Sequence, residues 1–324
     1  MNVSEQHLAT RRSAGLFDFS FMSLTEVEGP GACAFLGWLQ TRSPAPLQAG
    51  RIVYTLLLND DASVFIDATL WKHADEKWWL FTGRRSDYSR LLANVDRFDV
   101  RVRDRSGEFT ILALQGPASG PMLAELAGEA FVRGLHYFRF GGALVGGVHV
   151  IVGRLGYSGE LGYEVLLPVA DAAALRTALL ELGAVACEFD AADSLRIESG
   201  YVLFDREITG RENPLDLRLE RFVEIDGRRF RGSEALVALS HVPPERALAG
   251  LEIVDRPASS SSLPLVRATS ECYSPIFRRR IALGFAPRDL TLGSWVRLAD
   301  GRLARTARLP FYDSPRALPR SQPL

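Results

Sequence analysis

Residues 155–165 read LGYSGELGYEV, with three glycines, two tyrosines and two glutamates in eleven positions. Gly156, Gly159 and Gly162 are three residues apart, a spacing that matches neither the GxGxxG dinucleotide loop nor the GxxxxGK[ST] phosphate loop. The glycines predict a tight turn, and the residues after it predict a strand that carries Glu164. Considered alone, the segment is more typical of a hairpin with an exposed Glu164 than of a binding site.

The composition of the whole chain is that of an ordinary soluble globular protein. It has 324 residues, of which 47% are hydrophobic and 24% are charged, and its formal net charge is −1. This length predicts two or three domains, and the charge argues against a nucleic-acid partner. No apolar run reaches the ~18 residues that a membrane span needs. Residues 1–13 also lack the apolar core of a signal peptide.

The cysteines give no sign of a disulfide framework or a metal site. Cys33, Cys187 and Cys272 are widely spaced and form no CxxC motif. The five histidines do not cluster along the sequence either. We therefore expect a cytoplasmic protein with no metal.

Strand-then-helix patterns occur three times, in residues 23–40, 109–128 and 163–183. The breaker GPG separates strand from helix in the first pattern, and the turn QGP does so in the second. Residues 190–202 and 231–241 predict two further helices. Repeated strand–helix units with extra strands between them favour an α+β layer architecture.

A β-rich insert separates the first two of these units. The predicted elements are strands at 51–60, 64–72 and 77–83, with a turn at residues 59–61. Residues 86–98, SDYSRLLANVDRF, then predict a helix that is capped by Ser86 or Asp87.

The composition shifts near residue 243, where two prolines occur together. Residues 1–242 form one predicted region. Residues 245–316 contain short strand patterns separated by turn residues, which predict a second domain that is a small barrel or sandwich. The serine-rich stretch 258–262 predicts a flexible loop, and residues 317–324 a frayed tail.

Several motifs occur in a fixed order along the chain: GLFDFSFMSLTEVEGPGACAFL, TLLLNDDASVFIDATLW, ILALQGPAS, GYSGELGYEV, SLRIESGYVLFDREITGRENPLD, RFRGSEAL, YSPIFRRRIALGFAP and ARLPFYDSPR. Together they resemble the successive signatures of the glycine cleavage T-protein (aminomethyltransferase) family. The form SGELG looks nearer to the folate domains of sarcosine- and dimethylglycine-oxidising enzymes, and to tetrahydrofolate-dependent demethylases. The resemblance implies a T-protein-like cloverleaf of two intertwined α+β subdomains, followed by a C-terminal β-barrel domain.

The resemblance also implies a tetrahydrofolate pocket. The pterin edge carries two adjacent N–H donors, and a carboxylate can accept both in a planar bidentate geometry. Glu164 matches the family position that accepts this pair, and Tyr157 matches a tyrosine that lines the same pocket. In this interpretation the glycine turn positions a strand that directs a carboxylate into a central cavity.

Further site residues are implied in the same way. Asp67 matches the family's catalytic aspartate, which would orient the folate amine and handle its proton; the alternative is an edge residue that bonds a nearby backbone N–H. Trp71 would cover the pterin or pack in the core. Arg196 matches the arginine of the family motif LRLE, and it would bind folate, brace Glu198 or form a structural ion pair.

The sequence departs from the family pattern at several positions. Gly83 stands at or near a pterin-binding asparagine, so that one hydrogen bond would be missing or supplied otherwise. Phe21 replaces a frequent histidine. Arg84, Arg85 and residues 278–280 could add positive charge near the folate tail or a carboxylated substrate, although an exposed surface is the alternative for at least half of them.

The implied function is tetrahydrofolate-dependent transfer of an aminomethyl or methyl group from a small-molecule donor. The 5,10-methylene or the 5-methyl form of tetrahydrofolate would be the product. A carrier protein or a flavin oxidase subunit would be the protein partner. Two alternatives remain open, namely a tetrahydrofolate-dependent O-, S- or N-demethylase of a small or aromatic substrate, and a folate-binding protein without transferase activity.

Overall fold

The computed structural model of the protein describes residues 1–225, 227–258 and 262–324. The strands are β1 (Gly15–Asp18), β2 (Ser23–Glu28), β3 (Ile52–Leu58), β4 (Val64–Ala74), β5 (Lys77–Thr82), β6 (Arg101–Asp104), β7 (Phe109–Gln115), β8 (Phe140–Val145), β9 (Val148–Gly153), β10 (Gly162–Pro168), β11 (Val185–Ala186), β12 (Arg246–Pro257), β13 (Leu265–Ser274), β14 (Arg279–Pro287), β15 (Trp295–Leu298) and β16 (Arg302–Ala307). The α-helices are α1 (Val3–Arg12), α2 (Ala32–Leu39), α3 (Tyr88–Leu91), α4 (Ser119–Ala127), α5 (Glu129–Gly134), α6 (Ala172–Glu181), α7 (Phe189–Glu198) and α8 (Ser233–Ser240).

Two sheets interleave along the chain, and a barrel follows them. Strand β1 belongs to a six-stranded sheet in the order β11-β1-β7-β10-β9-β8, which we call the first sheet. The chain leaves it to build a second, five-stranded sheet in the order β3-β4-β5-β2-β6, and then returns at β7. Strands β12 to β16 close into a barrel in the order β12-β14-β13-β15-β16. This arrangement confirms the predicted α+β fold class with a C-terminal β-barrel.

Local patterns explain most of these elements. Helix α2 begins directly after the breaker GPG. Its buried residues are spaced as on one face of a helix, and they are Ala32, Phe35, Leu36 and Leu39. The predicted turn at residues 59–61 joins β3 to β4. Helix α7 ends at Glu198, earlier than the predicted residue 202, because Gly200 takes a left-handed conformation with φ of 64°.

The predicted helix at residues 86–98 is wrong. That segment contains α3, which has only four residues, and two 3₁₀ turns at Arg85–Asp87 and Val95–Arg97. Asp87 makes no capping hydrogen bond, because its carboxylate accepts from Arg84 Nε at 3.0 Å instead. This ion pair is local, because its partners are three residues apart. Asn94, with a left-handed φ of 67°, then interrupts the helix before residue 98.

Both chain ends differ from the sequence-based expectation. Helix α1 was not predicted; it carries a capping box between Asn2 and Glu5. The C-terminal residues are packed rather than frayed, since Arg154 donates to the carbonyl of Ser321 and Leu324 packs against the core of the first sheet. Residues 259–261, within the predicted serine-rich loop, lie outside the described residues.

Candidate active site

The first and second sheets face each other across a shared aromatic core. Phe17 and Ala113 of the first sheet and Trp71, Trp79 and Phe81 of the second belong to one buried cluster. Side chains alternate along a strand, so the face of β4 that carries Trp71 also carries the residues two and four positions before it. The interior between the sheets is therefore the place where side chains of β4 and β10 can approach each other.

Glu164 lies in the middle of the face that the first sheet turns toward this core. Its register neighbours are Ala113 on β7 and Gly153 on β9. The next residues across the sheet are Phe17 on β1, opposite Ala113, and Phe140 on β8, opposite Gly153. Directly opposed residues in adjacent strands share one face of a sheet. Both register neighbours, Ala113 and Gly153, are small, so neither places a large side chain beside the Glu164 carboxylate.

The Glu164 carboxylate is buried without a partner. Glu164 is 8% exposed. No residue in the described part of the chain forms a hydrogen bond or an ion pair with its carboxylate. Burial alone raises the pKa of Glu164 from its ordinary value of 4.5 to about 7. A buried carboxylate is costly unless something compensates it, so this position is suited to a ligand that brings hydrogen-bond donors.

Asp67 is partly buried on the opposing face of the second sheet. Tyr54, its diagonal neighbour on β3, donates a hydrogen bond from Oη to Asp67 Oδ2 at 3.0 Å. Burial raises the pKa of Asp67 to about 6, although the Tyr54 bond works in the opposite direction. A hydrogen bond from the residue's own backbone N–H also lowers the pKa of Asp67, so a backbone partner of the kind expected for an edge residue accompanies the Tyr54 bond.

Two further charged residues lie close to Asp67. The negative charge of Asp87 raises the pKa of Asp67, and the positive charge of Arg84 lowers it. Arg84 pairs with Asp87 and with Asp205, at 3.0 and 2.9 Å. Asp87 is itself buried, and burial raises its pKa. The sequence indicated Asp87 only as a helix cap, and Arg84 as a positive charge near the folate tail or a carboxylated substrate or else as an exposed residue. It did not indicate Tyr54.

Tyr157 approaches the same region from the glycine turn. Its ring stacks on Tyr201 with centroids 5.9 Å apart, and its hydroxyl donates to the carbonyl of Val202. Burial raises the pKa of Tyr157 well above its ordinary value, and the charge of Asp67 raises it further. Tyr157 and Asp67 are therefore neighbours, whereas the charge of Asp67 has no part in the shifted pKa of Glu164.

Trp71 is a core residue in this structure. It is fully buried, its indole N–H donates to Thr69 Oγ1 at 3.0 Å, and its ring packs against Phe81 and Phe140. It also lies against the backbone of Gly153, the register neighbour of Glu164. Since the indole has no accessible surface, the geometry favours core packing over the covering of a pterin.

Arg196 is fully buried and engaged within the protein. Its guanidinium pairs with Asp193 at 2.8 Å and Glu207 at 2.7 Å, and it donates to Ser270 Oγ at 2.6 Å on β13. It does not brace Glu198, which pairs with Arg11 at 2.9 Å. The structural ion pair, one of the three roles considered, describes this arrangement, and it ties α7 to the barrel.

Gly83 directly follows β5 and lies against the ring of Phe204. A Cβ atom at this position would lie 2.3 Å from Cε1 of Phe204. Phe204 therefore fills the space in which a side chain of residue 83 would project. Gly83 contributes no side-chain hydrogen bond, and the Phe204 ring lies where a larger side chain would project.

The chain was compared with known proteins. A family model described as the GCVT N-terminal domain matches residues 1–227. An aminomethyltransferase from Symbiobacterium thermophilum is 32% identical to this chain, over 97% of this chain and 90% of the relative. The chain belongs to the glycine cleavage T-protein family. The resemblance of the ordered motifs is thereby confirmed, and the chain is assigned to a family of transferase enzymes.

A second relative and a solved structure also match most of this T-protein family member. An aminomethyltransferase from Desulfitobacterium hafniense is 32% identical over 89% of this chain and 82% of its own length. The crystal structure of glycine cleavage system aminomethyltransferase T from Bartonella henselae matches with a TM-score of 0.84 and 29% identity. The match covers 97% of this T-protein family member and 90% of the Bartonella chain.

Two kinds of feature are absent from the residues that the structure of this T-protein family member describes. None of its helices there is long and apolar enough to cross a membrane. The same residues contain no group of His, Cys, Asp and Glu side chains that could hold a metal ion.

Proposed function

We propose that this protein is a tetrahydrofolate-dependent aminomethyltransferase. The observation that carries the proposal is the Glu164 carboxylate, which is buried in the inter-sheet core with no partner among the described residues. Family membership supplies the class of reaction, and the buried acceptor fits the paired N–H donors of a pterin edge.

Glu164 would hold the pterin. In the free protein burial raises the pKa of Glu164 to about 7, and no hydrogen-bond donor among the described residues offsets this effect. Two N–H groups from a ligand would stabilise the ionised form and lower that pKa again. Binding and ionisation of Glu164 are thus coupled, which favours a ligand with a donor pair over an apolar one.

Asp67 would act at the reacting end of the ligand. Bound tetrahydrofolate would supply the nucleophilic nitrogen that accepts the one-carbon unit. With a pKa of about 6, Asp67 can accept or release a proton near neutral pH. Tyr54 fixes the orientation of this carboxylate through the 3.0 Å hydrogen bond. The Tyr157 ring would line the pocket beside Asp67.

The one-carbon donor would be a small aminomethyl compound, free or attached to a carrier protein. The names of the relatives support aminomethyl transfer. No observation specifically favours the demethylase or the non-catalytic alternative.

The proposal is tested by incubating the purified protein with tetrahydrofolate and candidate donors, followed by mass spectrometry of the folate. We expect a gain of one carbon on the folate with an aminomethyl donor, and a gain that is slower by roughly two decades with the Asp67→Asn variant. Folate binding without any one-carbon gain across aminomethyl and methyl donors would contradict transferase activity. A gain only with methoxy or methylthio compounds would favour demethylation.

A further inference from the structure

A buried arginine of the N-terminal helix contacts the glycine turn, residues 155–161, which precedes β10. Arg11 is the last residue but one of α1, and it is 6% exposed. Its Nη1 atom donates to the carbonyl of Ser158 at 2.8 Å and to Glu160 Oε1 at 3.0 Å. Both acceptors belong to the turn, so one guanidinium holds its backbone and one of its side chains.

The opposite edge of the same guanidinium is fixed to the end of α7. Arg11 donates from Nε and Nη2 to Glu198 Oε2, at 3.1 and 2.9 Å. Glu198 is fully buried, accepts a hydrogen bond from Ser274 of β13, and lies 3.0 Å from Nε2 of His7 on α1. Arg11 therefore connects the glycine turn to a point where α1, α7 and the barrel meet.

The charges of this network compensate each other inside the protein. Burial raises the pKa of Glu160, and the positive charge of Arg11 acts in the opposite direction. Burial acts to raise the pKa of Glu198 as well, yet its contacts with His7, Arg11 and Ser274 hold that pKa below its ordinary value. A buried charge that loses its partner is costly, so the two carboxylates and the arginine between them hold the turn in one place relative to α7.

The glycine turn also carries a residue of the candidate active site. Tyr157 directly precedes Ser158, and the charge of Asp67 acts on it. Strand β10, which carries Glu164, begins directly after the turn. A shift of the Ser158 carbonyl would therefore move the Tyr157 ring relative to Asp67.

We propose that Arg11 is a positioning residue for the candidate active site. By holding the glycine turn at Ser158 and Glu160, it sets the place of the Tyr157 ring beside Asp67. The inference rests on the proposed function, and it adds a buried residue that acts on ligand binding through the turn.

The test uses two variants of the turn contact and one matched control. Arg11→Lys keeps the positive charge but replaces a forked donor by a single nitrogen, which cannot contact the turn and Glu198 in the same way. Glu160→Ala removes the side-chain acceptor of the turn and leaves Arg11 paired with Glu198. Ser274→Ala is the control, because it removes a hydrogen bond to the same Glu198 and alters no contact of the turn.

Calorimetry measures the affinity of each protein for tetrahydrofolate, and urea denaturation measures its stability. Hydrogen exchange followed by mass spectrometry measures the protection of residues 155–161 in the free protein. We expect both turn variants to bind tetrahydrofolate about tenfold more weakly than the wild type, and their residues 155–161 to exchange about tenfold faster. Ser274→Ala should match the wild type in both measurements, whatever its loss of stability.

Two results would overturn the inference. In the first, Arg11→Lys and Glu160→Ala match the wild type in affinity and in exchange. In the second, the affinity falls in all three variants in proportion to the stability that each has lost, as a merely structural role predicts. If Arg11→Lys does not fold, the comparison of Glu160→Ala with Ser274→Ala decides between these outcomes.

Failure of the proposed function is recognised separately, because the wild type would then bind no reduced folate. Hydrogen exchange alone then decides the inference. Faster exchange of residues 155–161 in the two turn variants than in Ser274→Ala supports the positioning of the turn by Arg11. Equal exchange in the three variants overturns it.

Discussion

Tyr54 donates a hydrogen bond to Asp67, with Oη 3.0 Å from Oδ2, across two adjacent strands of the second sheet. The bond opposes the effect of burial on Asp67, whose pKa is nonetheless about 6. It also fixes which way the carboxylate points. The residue that was predicted from the family to be catalytic thus depends on a partner that no motif indicated.

Replacing Tyr54 by Phe should move the pH dependence of turnover. The bond stabilises the ionised carboxylate, so its loss raises the pKa of Asp67 further. If the ionised form is the active one, activity is lost as the pH falls through that pKa, and the acidic limb of the kcat profile therefore shifts to higher pH. Tyr88→Phe is the control, because Tyr88 donates only to the carbonyl of Val102. An unshifted limb in Tyr54→Phe would show that Asp67 does not titrate in the rate-limiting step.

Glu164→Gln should stabilise the free protein at alkaline pH. The pKa of Glu164 is about 7 when folded, against an ordinary value of 4.5. The protonated form therefore favours folding below pH 4.5, and this contribution is lost as the pH rises through about 7. A neutral Gln avoids the loss, so the variant should gain up to about 3 kcal/mol in free energy of unfolding at pH 8.

Urea denaturation at pH 8 and at pH 4.5 without folate measures this difference. The gain over the wild type should shrink toward zero at the lower pH. A Glu164→Gln variant that is less stable than the wild type at both values would show that the carboxylate has a protein partner in solution.

Gly153→Ala should destabilise the fold. The added Cβ would lie 2.2 Å from Cη2 of Trp71, which is fully buried and cannot move aside. We expect a loss of about 1–3 kcal/mol in the free energy of unfolding, typical of overpacking. Gly142→Ala on β8 is the matched control, since its nearest neighbour is the carbonyl oxygen of Val150 at 4.0 Å. Equal stability of the two variants in urea denaturation would contradict the packing of Trp71 on Gly153.

Gly83→Asn should destabilise the fold when it is made alone, and should destabilise it much less when it is combined with Phe204→Ala. The ring of Phe204 occupies the space that the new side chain needs, with a Cβ to Cε1 distance of 2.3 Å. In a double-mutant cycle the two substitutions should couple by about 1–3 kcal/mol in the free energy of unfolding. Additive effects would show that the ring moves freely away from residue 83.

Much of the fold could be predicted from local patterns. Alternation and turn residues located β3, β4 and β5, and the ordered motifs placed Asp67 and Glu164 on strands. The packing partners could not be predicted, because they depend on contacts between distant segments. Phe204 packs over Gly83, and Asp205 pairs with Arg84, although more than 100 residues separate the partners in both cases.

The roles of Trp71 and Arg196 show the same limit. Both match family positions, yet one is enclosed in the aromatic core and the other is held by Asp193 and Glu207. A motif identifies the position of a residue in the chain. Whether its side chain faces a ligand or the interior depends on which neighbours fill the surrounding space.

The most direct test of the account separates folate binding from chemistry, using Glu164→Gln and Asp67→Asn in parallel. Glu164→Gln loses a charged acceptor of two hydrogen bonds, so calorimetry should show at least a tenfold weaker affinity for tetrahydrofolate. Asp67→Asn keeps the shape but loses the proton-accepting group, so its folate affinity should stay within a few-fold while turnover falls by roughly two decades. The account is contradicted if Glu164→Gln binds tetrahydrofolate as tightly as the wild type, or if Asp67→Asn retains full turnover.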